Sequence, residues 1–462
     1  MTLLHWLTLH GLVTALAILY YAVQAHGEPQ RRQPAAAIAW ILFILLLPYL
    51  ALPAYMVFGT RKRARPNATL HAKMQPGPPE RWAIDTLLAL GQPAPERYAN
   101  LALHPDGESA RHSLLAALGG AQHTIDVCTF ILARDPLGEA VVSTLCERAQ
   151  AGVRVRLLLD GMGSLMHRPP ALQRLRDAGG TCAIFSSPLR SSLKGRTNLR
   201  NHRKLALIDG GETTGRLWTG GRNLASEYFD GAPETPPWRD LSFELTGPLI
   251  RQASQLFEHD WCFATGLPPP TTPTASHHGA ALLDNEGAQQ VASGPDQADD
   301  TVHALLVTAA YRARQRIALA TPYFVPDATL LMALCLAARR GVQVDLLLPA
   351  RSNHRLSDMA RGRALRSLAQ AGGQIWLAPG MLHAKLAVFD RSLALAGSAN
   401  LDSRSLFLNY ELMLAFHQRS DVQRFEAWFD TERAPATAFQ PQQPGLMRDM
   451  AEGLILWTGF QL

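Results

Sequence analysis

Charged residues are scarce in this chain of 462 residues, and so are cysteines that could pair. Asp, Glu, Lys and Arg make up 18% of the sequence, below the ~25% that is typical of soluble domains, so part of the chain is expected to avoid water. The five cysteines lie far apart and form no C-x-x-C pair, which predicts reduced thiols rather than a disulfide framework or a zinc site. The composition also excludes a disordered chain and a collagen-like chain.

Two long stretches near the amino terminus carry no charged side chain, residues 1–26 and residues 33–60. Each is longer than the ~20 apolar residues that cross a bilayer as a helix, and aromatic residues lie near their ends, where interface anchors are expected. A cleaved signal peptide is the alternative, but no Lys or Arg precedes the first stretch and a second stretch follows directly. The sequence therefore predicts a two-helix transmembrane hairpin over residues 1–60.

Basic residues flank these stretches unevenly and predict how the hairpin is oriented. Two arginines lie between the stretches, and four basic residues follow the second one: Arg31 and Arg32, then Arg61, Lys62, Arg63 and Arg65. Because loops rich in Lys and Arg tend to stay on the cytoplasmic side, we expect both ends of the hairpin and the rest of the chain to be cytoplasmic. Reduced cysteines agree with that compartment.

The rest of the chain divides into two similar halves. The segment LPPPTTPTASHHG at residues 267–279 reads as the break between them. AQAGVRVRLLLD at residues 149–160 and ARRGVQVDLLLP at residues 338–349 each read as a helix end, a glycine cap and a buried strand. Another strand and a helix precede each of these segments, and strand–helix–strand order implies parallel pairing in an α/β sandwich.

We therefore predict an α/β fold with a duplicated domain. A transmembrane hairpin at residues 1–60 is followed by a linker and lead-in at residues 61–105. The two α/β sandwich domains then occupy residues 106–266 and 280–462.

The same pattern of polar residues recurs once in each half, H-x-K-x-x-x-x-D followed by an asparagine. The residues that carry it are His202, Lys204, Asp209 and Asn223 in the first half, and His383, Lys385, Asp390 and Asn400 in the second. On an extended chain, side chains two positions apart face the same side, so each His is expected beside its Lys. One such motif is a weak signal, but two copies in a visible duplication are a strong one.

A histidine beside a lysine suits phosphate chemistry better than metal binding. An ammonium group repels a metal cation, and no further His or Cys ligand lies in register. The same ammonium neutralises phosphoryl oxygen charge, while the imidazole can attack phosphorus or protonate a leaving oxygen near neutral pH. Two copies would place one His on each side of the phosphorus, one as nucleophile and one as general acid. No metal or organic cofactor is expected.

These motifs resemble those of the phospholipase D superfamily, and within it those of the bacterial cardiolipin synthases. The resemblance extends to the hairpin, to TPYFVP at residues 321–326, to PGMLHAK at residues 379–385 and to GSANLDSRS at residues 397–405. It implies two phospholipase D-like domains in a multi-pass protein of the inner membrane. The implied activity transfers a phosphatidyl group from one phosphatidylglycerol to another through a phosphatidyl-histidine, and releases glycerol.

The resemblance also implies the composition of the site. His202, Lys204 and Asn223 would form one half-site, and His383, Lys385, Asn400 and Ser398 the other. Members of this superfamily place a carboxylate behind each histidine, and the matching positions are Asp240 and Glu411. Asp209 and Asp390 are grouped with the catalytic motif, although a role as turn residues without substrate contact stays open.

One half departs from the superfamily pattern. Six residues separate Asp390 from Gly397, but ten separate Asp209 from Gly220, and Gly221 stands where a serine is usual. A longer hairpin would absorb the extra residues while Asn223 returns to the site.

Several alternatives remain open at this point. The chain has 44 Lys and Arg residues against 38 Asp and Glu residues, and such an excess suits an anionic partner, either phospholipid or nucleic acid. A hydrolytic phospholipase D or another headgroup-exchanging enzyme would use the same residues. A nucleic-acid phosphodiesterase is disfavoured because a membrane hairpin serves no purpose there, so phosphatidylglycerol and membrane phospholipids are the expected partners. The sequence leaves open which histidine attacks, which acceptor lipid is preferred and what the oligomeric state is.

Overall fold

The computed structural model describes residues 3–26, 34–58, 78–186, 199–212, 215–232, 235–268 and 287–458. The α-helices are α1 (Leu3–His26), α2 (Pro34–Leu46), α3 (Pro48–Phe58), α4 (Trp82–Ala89), α5 (Gly107–Gly119), α6 (Pro136–Gln150), α7 (Gly161–His167), α8 (Gln173–Asp177), α9 (Ile250–Thr265), α10 (Thr301–Arg312), α11 (Ala328–Arg339), α12 (Arg355–Gln370), α13 (Ser403–Phe407), α14 (Arg419–Arg433) and α15 (Leu446–Thr458). The strands are β1 (Ala99–His104), β2 (Thr124–Thr129), β3 (Arg154–Asp160), β4 (Thr181–Phe185), β5 (Leu205–Ile208), β6 (Arg216–Gly220), β7 (Ser242–Thr246), β8 (Ala288–Ser293), β9 (Arg316–Ala320), β10 (Phe324–Val325), β11 (Gln343–Pro349), β12 (Gln374–Ala378), β13 (Leu386–Phe389), β14 (Leu393–Gly397), β15 (Leu401–Asp402), β16 (Glu411–Phe416) and β17 (Thr437–Ala438).

The amino-terminal stretches form helices that pack on one another. The second stretch is divided at Leu47, because Pro48 lacks the N–H that would continue α2 and instead begins α3. Tyr21, Ile44 and Tyr55 are buried where the three helices meet. Within the described ranges, no helix has both the length and the hydropathy of a membrane span. The predicted transmembrane hairpin is therefore not confirmed, and the basic residues used to orient it lie outside the described residues.

Two large mixed sheets, together with a short parallel pair of β10 and β15, make up the β-structure of the described residues. The first has seven strands in the order β1-β7-β6-β5-β2-β3-β4, and the second has eight in the order β17-β12-β11-β9-β13-β14-β16-β8. The predicted parallel pairs are confirmed as β2 with β3 and β9 with β11. The sheets are not purely parallel, because β5 and β13 each return through a hairpin and pair antiparallel on both sides.

The longer hairpin of the first half leaves the pairing unchanged. Leu205 pairs with Thr219 in the β5–β6 hairpin, just as Leu386 pairs with Ala396 in the β13–β14 hairpin. The extra residues therefore lie in the turn between β5 and β6. This agrees with the prediction that the longer connection does not displace the segment that follows it.

The two halves share a hydrophobic core. Helices cover the outer face of each sheet, and two clusters fill those spaces. A third cluster lies between the halves and contains Leu207 and Phe243 from the first sheet together with Leu386 and Leu414 from the second. Burying these faces against each other removes apolar surface from water, so the duplicated domains form one packed unit.

The stretch that the sequence analysis assigned to a linker and lead-in is ordered in its later part. Helix α4 buries Ala83 and Leu87 in the core of the second half. Strand β1 then pairs with β7 at the edge of the first sheet. Residues 82–104 therefore connect both halves instead of only leading into the first.

Asp209 and Asp390 end β5 and β13 in the same way. The Asp209 carboxylate accepts hydrogen bonds from the backbone N–H groups of residues 122–124 at 2.7 to 3.0 Å. The Asp390 carboxylate accepts three from residues 314–316 at 2.7 to 2.9 Å. Both residues have positive φ, +50° and +48°. Each aspartate thus holds the turn before β2 or β9 at the strand end remote from the His-x-Lys segment.

We expect Asp209→Ala to destabilise the fold without removing the chemistry. It leaves three backbone donors without their acceptor, which should lower the free energy of unfolding by about 2–3 kcal/mol. Urea unfolding measures this loss, and kcat of the folded enzyme should stay within about twofold of wild type. Asp209→Asn is the control, because asparagine keeps an acceptor oxygen and tolerates positive φ. Unchanged stability with lost turnover would assign Asp209 to the catalytic machinery instead.

Candidate active site

The two His-x-Lys segments lie at the beginning of β5 and β13. Each strand begins directly after its lysine, at Leu205 and Leu386, so the histidines are in the extended segment before the strand and not within it. All four side chains are nearly inaccessible: His202 is 9% exposed, His383 4%, and both lysines 2%. The structure therefore places the predicted residues in a buried polar site between the halves.

Backbone hydrogen bonds join each histidine to the opposite half. The His202 N–H donates to the Tyr410 carbonyl at 2.9 Å, and the Tyr410 N–H donates to the Arg200 carbonyl at 2.9 Å. In the other half-site, the His383 N–H donates to the Arg239 carbonyl at 2.6 Å. Tyr410 and Arg239 are the residues directly before the two predicted carboxylates, so these bridges set where the carboxylates lie.

Each histidine is paired with a carboxylate from the other half. The His202 Nδ1 lies 3.0 Å from Glu411 Oε1, and the His383 Nδ1 lies 2.7 Å from Asp240 Oδ2. Both carboxylates are fully buried. A proton held at Nδ1 by this contact leaves Nε2 as the ring nitrogen that can attack or donate. The structure thus brings Glu411 and Asp240 to the histidines, each across the interface between the halves.

The two carboxylates are held by different groups. Glu411 accepts hydrogen bonds from Ser398 Oγ at 2.5 Å and from Asn409 Nδ2 at 3.3 Å. Sequence reasoning missed Asn409, which lies two residues before Glu411 and has no counterpart in the repeated motif. Asp240 accepts from its neighbouring backbone N–H at 2.7 Å.

The departure at Gly221 has a steric reason. A Cβ atom at this position would lie 2.2 Å from Asp240 Oδ1. A serine at position 221, equivalent to Ser398 of the second half, would therefore clash with Asp240 where that carboxylate now lies. The fully buried Arg222 contributes positive charge near Asp240 in this half-site.

The lysines are held against the backbone of their own motif. Lys204 Nζ donates to the His202 carbonyl at 2.8 Å, and Lys385 Nζ donates to the His383 carbonyl. Burial lowers the pKa of Lys204 to about 8 and that of Lys385 to about 7, although Glu411 and Asp240 oppose the shift. An anion entering the site would restore the charged form of both side chains.

Burial also shifts the histidines. It lowers the pKa of His202 and of His383, and the adjacent ammonium groups add to the effect while the carboxylates oppose it. Burial alone would raise the pKa of Glu411 and Asp240, but the histidine and lysine partners hold both pKa values below the ordinary range. The site therefore pairs ionised carboxylates with imidazoles whose Nδ1–H donates to them.

The two predicted asparagines are buried, and each has hydrogen-bonding capacity left. Asn223 Nδ2 donates to the Tyr228 hydroxyl at 2.8 Å. Among the described residues, the buried Oδ1 atoms of Asn223 and Asn400 have no hydrogen-bond partner. Since a buried polar atom without a partner is costly, these amides are placed to contact a polar ligand.

Aromatic rings pack beside both histidines, and sequence reasoning missed them. The Phe130 ring lies 5.1 Å from the His202 ring, and Tyr228 and Trp238 lie 5.0 and 5.7 Å from the His383 ring. Aromatic side chains at such spacings usually belong to a core, so the sequence carries no separate signal for them. They add apolar contacts to the histidines beside those with the carboxylates and lysines.

The structure does not bring Asp209 and Asp390 to this group. Their carboxylates are used by backbone N–H groups at the far ends of β5 and β13, as described above. Their grouping with the catalytic residues is therefore corrected: their contacts are those of turn residues. Elsewhere in the described ranges, His259, Asp260 and Asp296 lie close enough together to share a metal ion, but the Arg203 guanidinium is bonded to both aspartates.

Comparisons with known proteins agree with these features. A family model described as cardiolipin synthase, PLD-like domain, matches residues 114–261 and 306–433, and one described as phospholipase D-nuclease N-terminal matches residues 13–59. Cardiolipin synthase A of Pseudomonas aeruginosa is 32% identical over 96% of this chain and 93% of its own length. The protein of that name from Pseudomonas putida strain W619 is also 32% identical, over 94% and 92%.

Solved structures share the fold at low sequence identity. Phosphatidylserine synthase of Haemophilus influenzae Rd KW20 superposes with a TM-score of 0.61 at 11% identity, covering 83% of this chain and all of that one. Polyphosphate kinase of Porphyromonas gingivalis gives a TM-score of 0.50 at 13% identity, covering 87% of this chain and 59% of that one. The structural likeness speaks for the fold alone, while the family model and the curated relatives decide the family. The chain belongs to the bacterial cardiolipin synthases, which are phosphatidyltransferases of the phospholipase D superfamily.

Proposed function

We propose that this enzyme makes cardiolipin by transferring a phosphatidyl group from one phosphatidylglycerol to a second and releasing glycerol. The observation that carries the proposal is the pair of buried histidines, each with its Nδ1 on a carboxylate from the opposite half. Lys204 acts on the pKa of His383, and Lys385 acts on that of His202. Both lysines are therefore close enough to act on both histidines, as is needed if the two motifs bind a single phosphodiester.

In the first step, the Nε2 of one histidine attacks the phosphorus of the first phosphatidylglycerol. A bond from nitrogen to phosphorus forms, and the bond from phosphorus to the glycerol headgroup oxygen breaks. The second histidine takes up a proton at Nε2 when the anionic phosphate binds beside it, since a nearby negative charge favours the imidazolium form. The departing oxygen takes that proton, so glycerol leaves as a neutral alcohol. The two lysines offset the charge on the phosphoryl oxygens.

In the second step, the histidine that gave up its proton acts as the base. It takes the proton from the primary headgroup hydroxyl of a second phosphatidylglycerol, whose oxygen attacks phosphorus. The bond from phosphorus to nitrogen breaks, cardiolipin leaves, and both histidines return to their starting state. The chain's own lysines and amides supply the charge stabilisation in this scheme, with no resident cofactor assigned a step.

We further propose that α1, α2 and α3 associate with the inner membrane in a multi-pass arrangement and that the catalytic halves are cytoplasmic. What supports this is the outer surface of these helices, on which Leu12, Leu16 and Leu19 are each more than half exposed. Exposed apolar surface of this extent is unusual for a protein in water. The family model described as phospholipase D-nuclease N-terminal matches residues 13–59, which is most of this region.

Removing either histidine should abolish turnover. His202→Ala and His383→Ala each remove the nucleophile or the general acid, so kcat for cardiolipin formation should fall by at least about a thousandfold. His112→Ala is the control, because His112 is exposed in α5. Thin-layer separation of labelled lipid measures the product, and circular dichroism checks the fold. A variant that keeps a tenth of wild-type activity or more would contradict the two-histidine scheme.

The crossed carboxylates should be needed for the chemistry more than for lipid binding. Asp240→Asn and Glu411→Gln keep the shape but no longer stabilise the protonated histidine, so kcat should fall by about a hundredfold to ten-thousandfold with KM nearly unchanged. Each substitution should act on the histidine of the other half. Rapid acid quenching separates the steps: one variant should accumulate labelled covalent enzyme, whereas the other should form little. Equal adduct levels in both variants would contradict distinct roles for the two histidines.

Activity should fall on the alkaline side as the lysines lose their protons. The pKa of Lys385 lies at about 7, below its ordinary value, so the charged form is present below that pH and is lost as the pH rises through it. The kcat/KM profile should therefore decline above about pH 7, and the kcat profile should decline at higher pH because bound phosphate favours the charged lysine.

Lys385→Arg is the matched variant for this test, because arginine stays protonated throughout the range. Its residual activity should lack the alkaline decline near pH 7. A decline that is the same in the wild type and in Lys385→Arg would assign the titration to another group.

A further inference from the structure

Two small apolar patches lie on the edge of the molecule that carries the histidines. Leu165 and Met166 of α7 are 66% and 67% exposed, and Leu356 and Met359 of α12 are 50% and 44% exposed. We call these four side chains the apolar rim. The two patches follow equivalent strands of the duplicated unit, β3 in the first half and β11 in the second, so both half-sites carry one.

The first patch is close to His202. Strand β5 begins just after His202, and its first residue, Leu205, pairs with Cys128 near the carboxyl end of β2. Because β2 and β3 are parallel, the carboxyl end of β3 lies at the same edge of the sheet as His202. Helix α7 follows β3 directly and packs on the residue after β2: a Cβ at Gly163 would lie 1.8 Å from the Phe130 carbonyl oxygen. The Phe130 ring in turn contacts the His202 ring. The first patch therefore lies about one helical turn from a residue that packs beside the histidine.

The second patch has the matching position beside His383. Strand β13 begins after this histidine and is antiparallel to β9, which is parallel to β11. Arg361 of α12 donates to the Pro349 carbonyl at 2.9 Å and so ties the helix to the carboxyl end of β11. Tyr323 donates to Asn353 at 2.5 Å in the loop that leads into α12. The amino end of α12 is thus on the same edge as the histidine.

Exposed basic residues accompany both patches. Arg168 lies two residues after Met166, and Arg351 and Arg355 lie beside the second patch. Apolar side chains with cations next to them suit the surface of an anionic bilayer, where phosphates lie above the acyl chains. A soluble anion would be met by the arginines alone and would leave the exposed Leu and Met side chains unexplained.

We propose that the apolar rim docks the active-site edge onto an anionic phospholipid bilayer. Leu165, Met166, Leu356 and Met359 enter the boundary between headgroups and acyl chains, and the adjacent arginines meet lipid phosphates. This rests on the proposed function, in which the reacting phosphate belongs to a bilayer lipid. It adds a second membrane contact, separate from α1–α3, that brings the histidines to the depth of the substrate phosphate.

Depth-dependent quenching tests the docking directly. The full chain, with partly exposed Cys146, Cys182 and Cys335 replaced by serine, receives one fluorophore at Met166→Cys or Met359→Cys and is reconstituted into phosphatidylglycerol vesicles. Brominated acyl chains should quench both labels. A label at Leu336→Cys is the control. Leu336 is 37% exposed and lies near the carboxyl end of α11, which leads to the amino end of β11. This is the edge of the sheet opposite to the one that carries the histidines. Labels at 166 and 359 that are quenched no more than the one at 336 would overturn the proposal.

Kinetics on two forms of the substrate gives the functional test. Replacing all four rim residues by Gln should lower kcat/KM for long-chain phosphatidylglycerol in vesicles by about tenfold or more. The same variant should keep kcat/KM for monomeric short-chain phosphatidylglycerol within about twofold, since that lipid needs no docking. Met332→Gln with Leu336→Gln is the matched control and should leave both values unchanged. An equal loss of kcat/KM on both forms of the substrate would overturn the proposal that the apolar rim docks on the bilayer.

The two proposals fail in different ways. If the wild type forms no cardiolipin from either lipid form, the proposed function fails, while the quenching experiment still reports whether the rim contacts the bilayer. If the wild type forms cardiolipin and the rim labels are not quenched, the rim proposal alone fails.

Discussion

The exchange of carboxylates between the halves is the constraint on which the active site depends. His202 needs Glu411 from the second half, and His383 needs Asp240 from the first. A fully buried carboxylate is costly unless a partner compensates for its charge, and here the partner is the reactive group itself. Neither half can therefore complete a site alone, although each carries its own His, Lys and Asn. The core shared between the sheets keeps the halves at the spacing that these pairs require.

Arg203 shows how the same interface is stabilised beside the chemistry. It follows His202 directly, is fully buried, and donates to Asp260 of the first half at 2.5 Å. It also reaches Asp296 of the second half at 3.3 Å and the Glu411 carbonyl at 3.2 Å. One guanidinium thus satisfies acceptors from both halves next to the segment that bears a catalytic histidine. Because removing one partner would leave an uncompensated buried charge, this group resists movement of Glu411 away from His202.

The sequence predicted the parts of the site that repeat, and it missed those that arise from docking. The resemblance to the superfamily pointed to Asp240 and Glu411 as carboxylates, and repetition pointed to the histidines and lysines and to the parallel strands β2–β3 and β9–β11. It could not indicate that each carboxylate serves the histidine of the opposite half, because that contact follows from the packing of two sheets and has no local period. Phe130, Tyr228 and Trp238 were missed because an aromatic side chain beside a strand gives the same signal in a core.

The surroundings of the histidines bear on the choice between transfer and hydrolysis. For the proposed substrate, each CH₂ that leaves the bilayer costs about 0.8 kcal/mol, so extracting two chains of about sixteen carbons would cost on the order of 25 kcal/mol. The lipid must therefore stay in the membrane while its phosphate enters a site whose histidines are less than a tenth exposed. Aromatic rings beside both histidines and the burial of both lysines leave little room for water next to the reacting groups. A second lipid hydroxyl, delivered at the same depth as the first phosphate, then has the advantage over bulk water as the acceptor.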